Sequence, residues 1–447
     1  MNETPPHRDD IAPSPVTLRT VYSAWWPLAA SWLLMGLEIP MVSAVMARLN
    51  DPIVSLAAYG GVVFPLALMI EAPIIMLLSA STALSKDEAS YRLMRRFMYS
   101  AALALTGLHA LVAFTPLFDI VVANWMHAPP EILEPSRRGM QILLPWTLSI
   151  AYRRFQQGAL IRFGRSRTIG IGTAVRLAAN AIVLGVGAYA TTWPGLIVGT
   201  LAVATGVVCE AIYAGLAVRP VLRELRAAPP LAEPLTPLAF ARFYLPLAVM
   251  PILMFSAMPL ASAAMGRMPR TVESLAAWTA LNGFVFTLRS TGFSFNEVVV
   301  SLLDRPGAVP ALRRFATRLA AAVTALILVF AFTPLGGVWF AEVSALQPPL
   351  VSLAVLGLIL AVPLPWLSTF QSWYQGTVVH ARRTRAITES MVVYIVVMAA
   401  VLGVGVVTQR FAGLPVAMVA TVLANLAQMI YLRVHAHSAM GGLKTAV

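Results

Sequence analysis

The sequence predicts an all-α polytopic membrane protein, and its composition, its apolar stretches and an internal repeat all support this fold class. Of the 447 residues, 59% are hydrophobic and only 11% are charged. Soluble proteins typically carry about 25% charged residues, so this chain has too little polar surface for a water-soluble globule of its size. The composition therefore excludes an ordinary cytosolic enzyme, a disulfide-rich secreted scaffold and a disordered protein.

Twelve stretches are long and apolar enough to cross a bilayer, which takes roughly 20 residues per helix. Many contain proline, for example Pro27, Pro65 and Pro251. We therefore expect kinked helices of the kind that transporters use. The predicted spans are 20–47, 54–85, 93–123, 138–161, 168–191, 195–218, 239–266, 274–302, 312–340, 347–378, 386–408 and 413–434.

The two halves of the chain repeat each other. Positions 40–58 align with 259–277 at an offset of 219 residues, with nine of nineteen residues identical. Further along the offset becomes 218: the sequence RRF at 95–97 recurs at 313–315. Each copy holds six spans, so both copies enter the membrane from the same side and form a parallel repeat.

The repeat predicts how the chain is organised. We expect two six-helix lobes that enclose a central cleft, which is the architecture of alternating access. The predicted units are a disordered tail at 1–19, a first lobe at 20–218, a linker at 219–238, a second lobe at 239–434 and a tail at 435–447.

The net charge of +13 is mostly a topology signal. If the N-terminus is cytosolic, 22 of the 32 basic residues fall on the inner loops and tails and only 6 on the outer loops. This asymmetry fits the positive-inside rule. We expect a multi-pass protein of the cytoplasmic membrane with both termini cytosolic, in which a monomer suffices. No soluble domain offers a nucleic-acid-binding face, so nucleic acid is not an expected partner.

Short motifs in the first two spans resemble those of multidrug and toxin extrusion (MATE) transporters. These are the residues LNDP at 49–52 with SLAAYG at 55–60, and the small-residue run LSASTAL at 78–84. The parallel repeat of six spans is also the plan of their superfamily, the MOP flippases. The residues WPLA at 26–29 and the segment 158–172 resemble the progressive ankylosis family, relatives that move anions such as citrate, ATP or pyrophosphate outward.

The sequence departs from the MATE pattern at one functional position. Aligned on Asp51 and Pro52, the first-helix carboxylate of many drug-exporting members falls on Val42. Glu38 lies about one helical turn earlier and is the candidate that replaces it. This departure counts against drug export coupled to protons or cations.

Several charged and polar side chains lie inside the predicted spans, where charge is costly and each such residue is a functional candidate. Arg154 and Arg176 lie at similar depths from the inner ends of neighbouring spans. They could form a cationic patch that binds phosphate or carboxylate through guanidinium forks. The alternative is that they snorkel or pair with acids. The predicted substrate-binding residues are Arg154, Arg176, Arg289, Asn296 and Gln157.

Acidic residues in the spans are candidates for ion coupling or gating, namely Glu38, Glu71 and Glu297. Arg289, Asn296 and Glu297 recur at helical spacing and are expected on one face. Glu71 is the repeat equivalent of Arg289 or Ser290, so we predict a Glu71–Arg289 ion pair across the lobe interface. Glu210 is expected to pair with arginines of the inner loops.

The chain has no nucleotide-binding loop and no esterase or metalloprotease motif, so we expect no enzyme activity, no metal and no cofactor. The predicted function is secondary active export of a small anionic solute (an organic acid, a nucleotide or pyrophosphate), with H⁺ or Na⁺ as the candidate coupling ion. Three alternatives stay open: H⁺- or Na⁺-coupled efflux of cationic amphipathic drugs, a lipid-linked flippase, and a membrane scaffold that does not transport.

Overall fold

A computed structural model describes residues 15–381, 383 and 385–444. The first half of the chain forms α1 (Leu18–Gly36), α2 (Glu38–Met46), α3 (Pro52–Ala58), α4 (Phe64–Glu71), α5 (Leu77–Leu84), α6 (Glu88–Phe114), α7 (Pro130–Ile142), α8 (Leu144–Arg162), α9 (Arg167–Ala190), α10 (Gly195–Ala217) and α11 (Arg219–Ala227). The second half forms α12 (Pro237–Met265), α13 (Thr271–Phe293), α14 (Phe295–Leu302), α15 (Ala308–Phe332), α16 (Pro334–Val338), α17 (Pro348–Ala361), α18 (Leu364–His380), α19 (Arg385–Thr408) and α20 (Gly413–Lys444).

These helices make up a multi-pass membrane protein with two lobes, and the predicted fold class is confirmed. Within the described ranges, nine helical segments are long and apolar enough to cross a bilayer, and α17 with α18 forms a tenth that is bent by 41°. The two other long segments are α7 with α8 and α13 with α14. They carry polar residues such as Arg153, Arg154 and Arg289, which lower their hydropathy.

The repeat seen in the sequence is a structural repeat. The Gly195 amide donates to the Asn50 carbonyl (3.0 Å), and in the second half the Gly413 amide donates to the Pro269 carbonyl (3.3 Å). Asp51, just before α3, has a left-handed backbone with φ of 53°. Its counterpart Arg270, just before α13, has φ of 57°. The two halves therefore share the same backbone conformation and the same hydrogen bond at these equivalent positions.

The structure also explains why the repeat offset changes from 219 to 218. The first half holds a π-helical turn at Tyr59–Val63, whereas the equivalent part of α13 is a regular α-helix. A π-turn accommodates one extra residue in a helix. With the insertion placed there, Glu71 corresponds to Arg289 rather than to Ser290.

Helices α1 and α12 each cross from one lobe to the other. Helix α2 packs on α9 and α10 of its own lobe, but α1 packs on α13, α14 and α15. The crossing lies where the Thr287 hydroxyl donates to the Gly36 carbonyl (2.8 Å). Helix α12 packs on α19 and α20 and also on α4, and the Tyr244 hydroxyl donates to the Pro73 carbonyl of the first lobe (2.6 Å).

The predicted linker contains an ordered helix. In α11, Val221 and Leu225 are buried, and the helix packs on α6. The Leu231 amide then donates to the Asp87 carboxylate (3.2 Å). Burial raises the pKa of Asp87, but the hydrogen bonds from Ser90 outweigh it, so this pKa lies below its usual range. The linker is therefore fixed to the first lobe.

The predicted tails fall at the edges of the described chain. Helix α20 continues to Lys444, beyond the predicted end of the last span at 434. Most of the predicted N-terminal tail, residues 1–14, lies outside the described residues, and α1 begins at Leu18.

Gly158 gives a direct test of the packing between α5 and α8. A Cβ atom at this position would lie 2.4 Å from the Leu78 carbonyl oxygen. Gly158→Ala should therefore destabilise the protein by about 1–3 kcal/mol through overpacking, measured by chemical denaturation in detergent. Gly185→Ala is the control, because a Cβ atom there meets nothing within 4 Å. Equal stability of the two variants would contradict the close approach of these helices.

Candidate functional site

The lobes are joined at one end of the molecule by related contacts. We call the membrane side at which α1 begins the inner side and the opposite side the outer side. On the outer side, Arg48 donates to the Val343 carbonyl of the second lobe (3.0 Å). Its repeat equivalent Arg267 donates to the Trp125 carbonyl of the first lobe (2.6 Å). Trp125 and Val343 are themselves equivalent, so these contacts close the outer side with pseudo-two-fold symmetry.

Four helices of the first lobe bring buried charges together in what we call the first-lobe ion cluster: Glu38 on α2, Arg153 and Gln157 on α8, Arg176 and Asn180 on α9, and Glu210 on α10. Arg153 Nη1 lies 2.7 Å from Glu210 Oε2. Arg176 bridges the two acids, with contacts of 3.1 Å to Glu38 and 3.6 Å to Glu210. The cluster therefore alternates in charge from one helix to the next.

Amide side chains complete the first-lobe ion cluster. Gln157 donates to Glu210 Oε1 (3.0 Å), and Asn180 donates to Glu38 Oε1 (2.7 Å). Gln157 lies one turn from Arg153 on α8, and Asn180 one turn from Arg176 on α9, so each pair shares a helix face. Predicted substrate residues Arg176 and Gln157, and predicted coupling residue Glu38, are thus held by internal bonds.

The expectation that Glu210 pairs with arginines of the inner loops is wrong. Glu210 is 1% exposed and is held by Arg153, Arg176 and Gln157. The loop arginine Arg165 instead pairs with Glu224 on α11 (2.5 Å). A buried carboxylate needs such charged partners, because an unpaired ion in a dry interior is strongly destabilising.

Arg154 differs from the other first-lobe arginines. It is half-buried, and no carboxylate of the described residues lies within 4 Å of its guanidinium. Its Nε is fully buried without a hydrogen-bond partner. Glu71, buried on α4, accepts a hydrogen bond from the Trp146 indole and lies within electrostatic range of Arg154. Arg154 therefore has an electrostatic neighbour but no direct partner.

The second lobe repeats this arrangement with most charges removed. Gln371 and Gln428 stand 218 residues after Arg153 and Glu210, and Gln371 donates to Gln428 Oε1 (2.9 Å). An amide pair thus replaces the buried ion pair. At the position of Glu71, the second lobe has Arg289, so the sign of the charge is reversed.

Arg289 also has no carboxylate partner in the described part of the chain. Its Nη2 donates to Asn425 Oδ1 (2.9 Å), and its guanidinium stands 5.3 Å from the Phe293 ring centre. Its Nε is buried without a hydrogen-bond partner. The predicted Glu71–Arg289 ion pair is not formed in this conformation, because Glu71 bonds to Trp146 and Arg289 bonds to Asn425.

The common face expected for Arg289, Asn296 and Glu297 stays a prediction: α13 ends at Phe293 and α14 begins at Phe295, and Ser294 between them keeps a helical backbone with φ of −61° and ψ of −19°. Asn296 is partly buried, and its Oδ1 lacks a hydrogen-bond partner. Glu297 is exposed and has no ion-pair partner among the described residues.

Sequence reasoning missed three side chains that organise these clusters, namely Trp146, Gln428 and Asn425. Each is the partner of a polar side chain on another helix. The repeat offset could have found Gln428, since it takes the place of Glu210. The spacing of residues in the sequence could not have identified Trp146 or Asn425, because their roles depend on how helices far apart in the sequence pack together.

Comparisons with known proteins agree with this architecture. No protein-family model and no curated protein sequence matches the chain. The fold resembles an inward-facing multidrug resistance MATE transporter of the MOP superfamily (TM-score 0.68, 15% identity, 95% of this chain and 99% of that one). It resembles the lipid II flippase MurJ in an inward closed conformation (TM-score 0.69, 14% identity, 91% and 86%).

The likeness to an outward-facing MATE transporter of the MOP superfamily is lower. That structure has a TM-score of 0.58 at 15% identity, with 95% of this chain and 97% of that chain covered. The higher score for the inward-facing MATE structure agrees with the lobe contacts on the outer side. The fold is therefore that of MOP transporters.

The amide pair of the second lobe suggests a test of the first-lobe ion cluster. Glu210→Gln alone leaves Arg153 buried without its carboxylate partner and should cost about 3–5 kcal/mol of stability. Arg153→Gln alone leaves Glu210 with Arg176 as its remaining charged partner and should also destabilise the protein. The double variant recreates the pair seen at Gln371 and Gln428, so it should recover most of this loss in a denaturation series. If the double variant were as unstable as the sum of the single variants, the two sites would not be coupled.

Proposed function

We propose that the protein is a secondary active transporter that works by alternating access and exports a small anionic solute across the cytoplasmic membrane, with both termini cytosolic. The expected substrates are organic acids, nucleotides or pyrophosphate. The single observation that carries the substrate class is that Arg154 and Arg289, one in each lobe, have no carboxylate partner among the residues that the structure describes.

The two arginines lie at the same depth on opposite lobes. Arg289 bonds to Asn425, and Gln371 donates to the Asn425 carbonyl (3.0 Å). Gln371 is the repeat equivalent of Arg153, the residue before Arg154. The pseudo-two-fold axis of a parallel repeat runs along the membrane normal, so equivalent positions share one depth. A doubly charged anion between the lobes could therefore meet both guanidinium groups.

A bound anion would supply the negatively charged partner that Arg154 and Arg289 do not have within the described chain. An unpaired guanidinium is costly in the bilayer interior, whereas phosphate and carboxylate accept two parallel hydrogen bonds from one guanidinium. Arg176 acts in this proposal through Glu38 and Glu210, and Gln157 through Glu210, so these residues position the site. Asn296, with its unpaired Oδ1, is a further candidate for substrate contact.

We assign coupling to Glu71 and Glu38, with H⁺ or Na⁺ as the expected ion. Glu71 has only the Trp146 indole as a direct partner, so it can take up a proton without breaking an ion pair. Glu38 already balances Arg176. Glu297 remains a candidate for gating because it is exposed and unpaired. No metal or cofactor and no catalytic residues belong to this proposal.

A second candidate function, efflux of cationic amphipathic drugs, is favoured by Glu71 and Glu297, two acids that form no ion pair with any described residue. The likeness to the lipid II flippase MurJ favours a lipid-linked substrate as a third. A cationic substrate would use the acids and leave Arg154 and Arg289 without a role. The two classes are therefore separable by experiment.

Transport of citrate and ATP into liposomes containing the purified protein tests the proposal, with a cationic dye as the competing substrate. Arg154→Gln and Arg289→Gln should each lower anion transport by about 10- to 100-fold, the loss expected when one charge-assisted hydrogen bond is removed. Arg138→Gln is the control, since Arg138 is an exposed arginine paired with Glu134. Dye transport without anion transport, or unchanged anion transport in both variants, would overturn the substrate class.

The outer contacts give a separate test of alternating access. Removing both outer arginines, with Arg48→Ala and Arg267→Ala, should favour the outward-open state. A Thr279→Cys probe in a Cys209→Ser background reports this change, because the Thr279 hydroxyl donates to the Leu56 carbonyl across the lobe interface (2.9 Å). An impermeant maleimide added from outside should label the probe several-fold faster in the double variant. Equal labelling would contradict an outer closure held by these arginines.

A further inference from the structure

A groove on the inner half of the second lobe is not used by the proposed transport site. It lies between the first turns of α15 and the last turns of α20, with α18 at its base, and has a volume of about 290 Å³. Trp366 and Phe370 line it, and Trp366 is 38% exposed. Gln371, which follows Phe370, is buried and donates instead to the Asn425 carbonyl. Adjacent helix residues point about 100° apart, so the groove opens on another face of α18.

Aromatic rings form a ladder along the base of the groove. Trp366, Phe370 and Tyr374 follow one another at four-residue spacing on α18. The first two rings stack with centres 5.2 Å apart, and the next pair is 6.2 Å apart. The ladder ends at the inner side, where the Tyr374 ring lies 6.3 Å from the ring of His437. Flat apolar surfaces of this kind suit an acyl chain and interfacial contacts.

The inner end of the groove is basic. Arg313 on α15 and Arg433 on α20 both line it and are exposed. No carboxylate in the part of the chain that the structure describes lies within 4 Å of either guanidinium. Ala308, the first residue of α15, lies only five residues before Arg313. The two arginines are therefore near the level of the lipid headgroups, with the aromatic ladder deeper in the membrane.

The equivalent place in the first lobe is a smaller pocket with a different lining. Tyr91 and Arg95 on α6 correspond to Val309 and Arg313 on α15. In the first lobe, Tyr91 and Arg95 share a pocket of about 210 Å³ with Glu88 and with Leu222 and Leu225 of α11. In the second lobe, α20 instead runs on as one helix to Lys444. The first-lobe pocket is thus lined partly by α11 and contains a carboxylate, whereas the described lining of the second-lobe groove contains none.

We propose that this groove binds an anionic phospholipid of the inner leaflet, with the phosphate between Arg313 and Arg433 and an acyl chain along Trp366 and Phe370. Basic residues at the membrane surface attract anionic headgroups, and two guanidinium groups can share the phosphate oxygens. A free phosphate ion would use the arginines but leave the aromatic ladder uncovered. The combination of both features therefore identifies a lipid.

Native mass spectrometry of the full-length protein in detergent tests the proposal, with phosphatidylglycerol and phosphatidylcholine of identical acyl chains. Phosphatidylglycerol should bind more tightly. The variant with Arg313→Gln and Arg433→Gln should lose about 25-fold in its affinity, since each basic residue near an anionic membrane surface contributes about a factor of five. Trp366→Ala should weaken binding of both lipids, because it shortens the aromatic ladder.

Arg314→Gln is the matched control, because Arg314 is the exposed neighbour of Arg313 but does not line the groove. It should leave binding unchanged. Equal binding of the two lipids, unchanged binding in the double variant, or an equal loss in the Arg314→Gln control would overturn the proposal. Displacement of the lipid by inorganic phosphate would also overturn it, since it would show a site for a free anion.

Discussion

The cost of placing a guanidinium group in the interior of a membrane protein constrains the centre of this fold. Each arginine there must have a carboxylate, a neutral hydrogen-bond partner or a ligand from outside the chain. Arg153 and Arg176 have carboxylates, and Arg289 has the Asn425 amide. Arg154 has no direct partner within the described chain. The substrate proposal follows from this comparison. The arginines without a carboxylate partner are the ones to which an anionic ligand can bind.

The two halves keep their symmetry at the outer closure and lose it in the polar groups buried inside each lobe. At the outer side, Arg48 and Arg267 each donate a hydrogen bond to equivalent backbone carbonyls of the opposite lobe. At the middle of the membrane, an ion pair in one lobe becomes the Gln371–Gln428 amide pair in the other. The two lobes thus share one backbone fold and one way of closing the outer side, but they differ in the polar side chains that they bury.

Much of the fold could be predicted from the sequence because it rests on local signals. Apolar length defines the spans, and the repeat offset defines the two lobes. Even the change of offset has a local cause, the π-turn at Tyr59–Val63. The depth of Arg154 and Arg176 also follows from distance along one helix. The partner of a buried charge is different, because Glu210 and Trp146 reach their partners only through the packing of helices far apart in sequence.

The strengths of the contacts indicate which parts can move. The outer closure uses hydrogen bonds from Arg48 and Arg267 to backbone carbonyls, and Arg48 is exposed. Hydrogen bonds to charged groups contribute about 1.5–3 kcal/mol, and water can replace both partners when the lobes separate. Breaking a buried ion pair by loss of one partner costs about 3–5 kcal/mol, with no water to compensate. We infer that the first-lobe ion cluster stays intact while the hydrogen bonds between the two lobes break and form. The unpaired charges at the cleft would then change their surroundings without any rearrangement inside a lobe, as rigid-body alternating access requires.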